Sequence, residues 1–245
     1  MFLCWGSFLN LAAYRLIHGG SIVFGRSSCP HCRHTLSWPE LIPIISWFAL
    51  RGKCLHCKES ISWLYPFIEL LTALIFYGMV TQLSSDYWIA YSIFFSALII
   101  TIRTDIETML ISRFASAFLI PVGFLLTIFD LLPITFAQSC IGAISAYIFL
   151  YGIGWLYYKF THRIGMGQGD VELIGMIGAF LGAQGWWASL MLASLVGSFS
   201  GAIILFTLSA SKTEKIKLPF GPFLALGALC YVFYAGSLMK LFLGF

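Results

Sequence analysis

The residues best suited to do chemistry in this chain are two aspartates, Asp105 and Asp170, and two Cys-x-x-Cys pairs, Cys29/Cys32 and Cys54/Cys57. Each aspartate lies where an apolar stretch meets a polar one. An ionisable group at such a boundary is costly to keep near lipid and is by default a functional residue. Two aspartates at one depth on different helices can be brought within hydrogen-bonding reach, and such a pair holds one proton between them because double ionisation is expensive. One carboxylate then takes a proton from water while the other protonates a carbonyl oxygen. That is peptide hydrolysis without a covalent intermediate. No Gly-x-Ser-x-Gly and no His-Glu-x-x-His pattern offers a competing nucleophile or metal site.

Asp170 closes the stretch Gly165-Met166-Gly167-Gln168-Gly169-Asp170. Glycine lets backbone approach backbone more closely than any other residue, so Gly165, Gly167 and Gly169 are expected to let a substrate strand approach Asp170. The simpler reading is that Asp170 caps the helix that follows. Glu107 and Glu172 share the aspartates' depth. For them, pairing with Arg103, Arg113 or Arg163 is the plainer expectation.

The second chemistry is metal binding. Cys29-Pro30-His31-Cys32 and Cys54-Leu55-His56-Cys57 are separated by 21 residues. Each pair sets two thiolates on one tight turn, and two such turns close a tetrahedral four-sulfur site for zinc. His31, His34 and His56 are expected to be bystanders. Cys4, Cys140 and Cys230 fall in apolar runs and read as small core residues. Between the knuckles, Pro39–Leu50 is apolar but too short to span, and is expected to lie on the membrane surface.

The elements that position these groups follow from composition. The chain has 245 residues, 60% hydrophobic and 10% charged, where a soluble domain is roughly 45–50% apolar and about 25% charged. It is an integral membrane protein, and no nucleic-acid partner is expected. Apolar runs occur at Phe2–Ile17, Tyr65–Leu83, Tyr87–Ile102, Phe114–Leu132, Gln138–Tyr158, Val171–Ala210 and Phe223–Leu243. The sixth is too long for one helix and is broken near Gly182-Ala183-Gln184-Gly185, which makes eight spans. The first positive charge, Arg15, follows the first apolar run, as in an uncleaved span with its N-terminus outside. That arrangement puts thirteen of the fourteen Lys and Arg residues, from Arg15 to Lys217, on the cytoplasmic side and leaves Lys240 outside. The expected fold is an all-α polytopic membrane protein of eight transmembrane helices, with a small cytoplasmic zinc-binding lobe between helices 1 and 2. Residues 1–63 form the first helix and the lobe, and residues 64–245 the transmembrane catalytic domain.

An ordered set of motifs then resembles one family. Gly6-Ser7-Phe8-Leu9-Asn10 with Arg15, the paired Cys-x-x-Cys knuckles, Tyr65-Pro66 with Glu69, Asp105, Gly165–Asp170 and Pro219-Phe220-Gly221-Pro222-Phe223 are similar in order and spacing to the bacterial type IV prepilin peptidases. The resemblance implies an inner-membrane aspartic protease of the Gly-x-Gly-Asp type, with both termini periplasmic and the active site at the cytoplasmic interface. It implies cleavage of the basic leader from type IV prepilins or type II secretion pseudopilins, and N-methylation of the new terminus from S-adenosylmethionine. It puts the catalytic roles on Asp105 and Asp170 and the zinc on Cys29, Cys32, Cys54 and Cys57. No glycine-rich nucleotide fingerprint supports the methyl donor independently. Two positions depart from the family's usual pattern. Ser112-Arg113 stands where proline and an acidic or amide residue are usual, and Glu172 where lysine is frequent. Two other functions fit the charges: a proton-coupled transporter using the interfacial carboxylates, and a membrane anchor displaying a zinc module.

Overall fold

The computed structural model describes residues 1–21, 25–163, 165–207 and 218–243. Lys212, Glu214, Lys215 and Lys217, three of which enter the charge count above, lie outside the described residues. Regular structure among the described residues is helical: α1 (Phe2–His18), α2 (Ile45–Ala49), α3 (Leu64–Gln82), α4 (Trp88–Thr108), α5 (Leu119–Ile128), α6 (Phe136–Thr161), α7 (Gln168–Thr207) and α8 (Gly221–Leu243). Among the described residues, four stretches are long and apolar enough to cross a membrane: Leu64–Gln82, Ser85–Thr108, Phe136–Thr161 and Gln168–Ile204. The chain divides into two compact units, Met1–Leu83 and Ser84–Phe245.

In the first unit α1 packs on α3, the helix that the sequence reading groups with the later spans. Gly6 makes the close approach possible, since a Cβ there would fall 2.8 Å from the Glu69 Cα. The buried Asn10 donates its amide N–H to the Tyr65 carbonyl at 3.0 Å. The buried Glu69 accepts the Ile44 N–H at 2.7 Å and a hydrogen bond from Ser7. Leaving any of these groups unpaired in an apolar interior would cost about 1–3 kcal/mol, so the polar residues of the first motif lock a helix pair and tie the lobe to it. Cys4 is exposed, and Cys140 and Cys230 are only partly buried. None of the three is the core residue the sequence suggests, because each helix turns that face outward.

The second unit is built around α7. Every residue from Val171 to Gly182 is buried, as a helix that is apolar all round requires. Phe180 stacks on Phe94 with ring centroids 5.0 Å apart. At the crossing of α6 and α7, Gly142 and Gly178 leave the two backbones in contact, and a Cβ on either would collide with the other's carbonyl. At Gly182 the backbone takes φ 71° and ψ −171°, the mirror-image region open to glycine. The helix breaks there, where the sequence suggests it. Beyond the break Trp187, Met191, Leu195, Phe199 and Ile203 are exposed at four-residue intervals, the stripe one helix face presents to lipid.

Two boundaries differ from expectation. α4 runs six residues past Ile102 and carries Asp105 inside its last turns. Arg103, which reads as a loop cation, is instead fully buried and pairs with Glu107. The stretch Phe114–Leu132 holds only the ten-residue α5. Pro121 stands in its first turn, and its missing N–H and its ring prevent the helix from starting much earlier.

Candidate active site

Asp105 is buried, and its Oδ2 accepts the N–H of Gly221 at 2.9 Å. Gly221 is the first residue of α8, where backbone N–H groups have no partner within their own helix. A carboxylate on α4 therefore satisfies the N-terminus of α8 and is oriented by it. Glycine is required at this position. A Cβ on Gly221 would stand 2.8 Å from the Asp105 Oδ2. The Phe220-Gly221-Pro222 motif entered the sequence reading only as part of a resemblance. Its local signal was the proline just inside the start of an apolar run, which marks a helix N-terminus and hence a free N–H.

Asp170 lies in the first turn of α7 and is half-buried. It accepts a hydrogen bond from the Gly167 backbone, reaching back as the acidic residue of a capping box does. The cap reading and a catalytic reading are thus compatible. The charges of Asp105 and Asp170 act on each other, so the fold brings together two carboxylates 65 residues apart in sequence.

The three glycines differ in their surroundings. A Cβ on Gly165 would lie 2.5 Å from the Tyr157 ring, and one on Gly169 would lie 2.7 Å from the Ile111 Cβ. The nearest atom to a Cβ on Gly167 would be the Asp170 Oδ2, at 3.3 Å. Two glycines are therefore matched to side chains of this protein, and Gly167 lies against the carboxylate itself. Sequence reasoning missed Tyr157 and Ile111, and no local pattern marks either.

The other two acids are paired. Glu107 accepts from the buried Arg103 one helical turn earlier. Glu172 is buried, and its Oε1 accepts from Arg113 Nε at 3.1 Å and lies 3.0 Å from a terminal nitrogen of the same guanidinium. The Ser116 hydroxyl is 3.4 Å from Oε2. Arg113 and Glu172 are thus each other's partner.

The cysteine lobe is made of two turns built alike. Cys29 donates to the His34 carbonyl and accepts from Arg33; Cys54 donates to the Glu59 carbonyl and accepts from Lys58. Arg33 and Lys58 both take left-handed φ, 58° and 59°. The four sulfurs lie within 4.8 Å of one another and could hold a metal ion. Cys29 and Cys57 are 3.8 Å apart, and Cys32 and Cys54 4.0 Å. A tetrahedron of zinc–sulfur bonds of about 2.3 Å has edges of about 3.8 Å, so the donor set fits that ion. The Cys54 thiol is pulled down to about 6, chiefly by the backbone N–H groups of Cys57 and His56. The Cys57 thiol is pushed up to about 12: the Glu59 backbone N–H favours its thiolate, but burial and the sulfurs of Cys32, Cys54 and Cys29 outweigh that. One thiolate thus forms readily and crowds the next, a conflict that a divalent cation removes. His34 and His56 pack ring against ring, with centroids 4.8 Å apart.

Helices long and apolar enough to cross a membrane, two of them carrying aspartates near enough to act on each other, define a polytopic membrane protein. Residues 1–83 match the bacterial peptidase A24 N-terminal domain, and residues 92–206 match the type IV leader peptidase family. The chain is 35% identical over 244 residues to a prepilin leader peptidase/N-methyltransferase of Bacillus subtilis, covering 98% of this chain and 94% of that one. It is 32% identical over 226 residues to a protein of the same name from Aeromonas hydrophila, covering 91% and 76%. A third, from Pseudomonas aeruginosa, is 31% identical over 231 residues, covering 92% and 77%. The chain belongs to the type IV leader peptidase family. No solved structure matches it.

Proposed function

We propose that this protein is a membrane aspartic endopeptidase that removes the basic leader from type IV prepilins or type II secretion pseudopilins and then N-methylates the new terminus. Asp105 and Asp170 form the catalytic dyad. The observation that carries the reading is the hydrogen bond from Gly221 to Asp105, which orients one carboxylate within electrostatic reach of Asp170 in a chain whose relatives bear the name prepilin leader peptidase/N-methyltransferase.

In the mechanism, the Gly221 N–H holds one oxygen of Asp105 and leaves the other to act. The two aspartates share a proton. The ionised carboxylate takes a proton from a water molecule as that water attacks the scissile carbonyl, and the protonated one donates to the carbonyl oxygen. As the tetrahedral diol collapses, the carboxyl that took the water's proton gives it to the leaving nitrogen and the other carboxylate takes a diol hydroxyl proton, which frees the new amine and restores the shared proton. Gly167, adjacent to Asp170, is where a substrate backbone comes nearest; Gly165 and Gly169 shape that approach through Tyr157 and Ile111.

The setting follows the same reading. The chain crosses the bacterial inner membrane eight times, counting the two limbs of α7 separately and taking the shorter apolar stretch Arg113–Ile128 as one crossing, with both termini periplasmic. A prepilin has a basic leader in the cytosol and an apolar helix in the bilayer, so its scissile bond lies at the cytoplasmic interface, the depth of both aspartates. Cys29, Cys32, Cys54 and Cys57 hold a structural zinc ion. The exposed Trp38, Ile42, Ile45 and Phe48 of the lobe rest on the lipid surface. S-adenosylmethionine is the methyl donor, and no residue is assigned to it. The functional division at residue 63 concerns chemistry; the compact units part at Leu83.

The test is cleavage of a purified prepilin in detergent by the wild type, Asp105→Asn and Asp170→Asn. Loss in both variants with folding retained supports the dyad, and cleavage surviving both sinks it. A wild type that cuts nothing would favour the transporter. Labelled S-adenosylmethionine in the same assay reports the second activity.

A further inference from the structure

The segment between α4 and α5 touches both aspartate-bearing elements. Met109 ends α4 in a left-handed conformation, φ 55°, with its N–H on the Asp105 carbonyl. That conformation costs a non-glycine residue about 1–2 kcal/mol, and it turns the chain sharply just after Asp105. Two residues later, Ile111 lies against Gly169, the neighbour of Asp170, and its Cδ1 is 3.3 Å from where a Cβ on Gly221 would be. One side chain thus touches the residue before one aspartate and the donor to the other.

The segment is also bound to itself and to α7. Ser112 Oγ accepts the Phe114 N–H at 3.3 Å, and the Ser116 hydroxyl donates to the Ser112 carbonyl at 3.2 Å. Arg113 and Ser116 both reach Glu172, two residues past Asp170 on the first turns of α7. Glu172 is buried while the Arg113 side chain is 65% exposed. A buried carboxylate held by a guanidinium loses far more by breaking the pair than an exposed one does, so the contact fixes α7 against the segment. It does so beside the dyad, at neither of its members.

We infer that Ile111–Ser116 is a positioning clasp that sets the spacing of Asp105 and Asp170, with Arg113–Glu172 as its latch and Ile111 as its spacer. This rests on the dyad reading above. Neither Arg113 nor Glu172 touches the reacting atoms; both act through the placement of Asp170.

The experiment compares steady-state prepilin cleavage and thermal unfolding in detergent for the wild type, Asp105→Asn, Arg113→Met, Glu172→Gln and the exchanged double variant Arg113→Glu/Glu172→Arg. Misplacing a reacting group by about an ångström can cost up to about a hundredfold in rate. Each single variant should accordingly lower kcat by about tenfold with KM within about twofold, and Arg113→Met, which leaves the Glu172 carboxylate buried without its partner, should lower the unfolding temperature more than Glu172→Gln does. The exchanged double variant should recover most of the lost kcat. Unchanged kcat in both single variants overturns the clasp, as does a double variant that folds normally yet stays as impaired as the singles. If the wild type is inactive or Asp105→Asn is active, the dyad reading itself fails and the clasp falls with it.

Discussion

Asp105 and Gly221, 116 residues apart, are joined by a buried 2.9 Å hydrogen bond that makes the start of α8 part of the setting of a carboxylate on α4. The glycine contributes its N–H and its lack of a side chain at once. Gly221→Ala would keep the donor while setting a methyl 2.8 Å from the acceptor. We expect kcat for prepilin cleavage to fall by about tenfold or more as the carboxylate is pushed aside, with the unfolding temperature nearly unchanged. Wild-type kcat in this variant would mean that Asp105 does not need its partner.

The backbone contact of Gly142 and Gly178 supports a second prediction, about stability. Small residues let membrane helices approach closely, and here a Cβ on either glycine meets the other's carbonyl. Gly142→Leu or Gly178→Leu should destabilise by at least the ~1–3 kcal/mol typical of overpacking. Unfolding in detergent followed by circular dichroism would measure this, and an unchanged transition would refute the contact.

The four-sulfur cluster makes a prediction about metal. Purified protein should contain about one zinc per chain, and cobalt exchanged into it should show the absorption of a tetrahedral thiolate site. Cys54→Ser should lose both signals. Chelation should lower the unfolding temperature of the lobe, because metal binding to such a site is coupled to folding. If the metal can be stripped with no effect on unfolding, the ion is not structural.

How much of this the sequence reveals depends on whether a feature is local. The break in α7 was legible because glycines interrupt one run too long for a single helix. The cysteine turns were legible because each is a four-residue pattern. The end of α4 was not. Arg103 resembles a loop cation, and its burial by tertiary packing, on a helix that continues through Asp105, could not be read from its neighbours. That Glu107 and Glu172 pair with arginines was legible, with Arg103, Arg113 and Arg163 as the candidates, but which arginine serves which acid was not. Pairing over 59 positions is set by how the segment between α4 and α5 meets α7. The roles of Ile111 and Tyr157 could not have been read, since an isoleucine beside a glycine is a matter of three-dimensional packing.

The bend at Gly182 has a mechanical consequence. The limb before it, Val171–Leu181, is enclosed by protein, whereas the limb after it carries the exposed row from Trp187 to Ile203. A membrane helix meets a thicker or thinner bilayer by tilting. We expect the distal limb to tilt about the break while the enclosed limb keeps its packing, so that lipid strain stops short of Asp170. Cleavage rates in bilayers of different acyl-chain length should therefore stay nearly level. Gly182→Val, which cannot hold φ 71° and so forces the break to rearrange, should make them depend on chain length. Equal sensitivity in wild type and variant would show that the hinge isolates nothing.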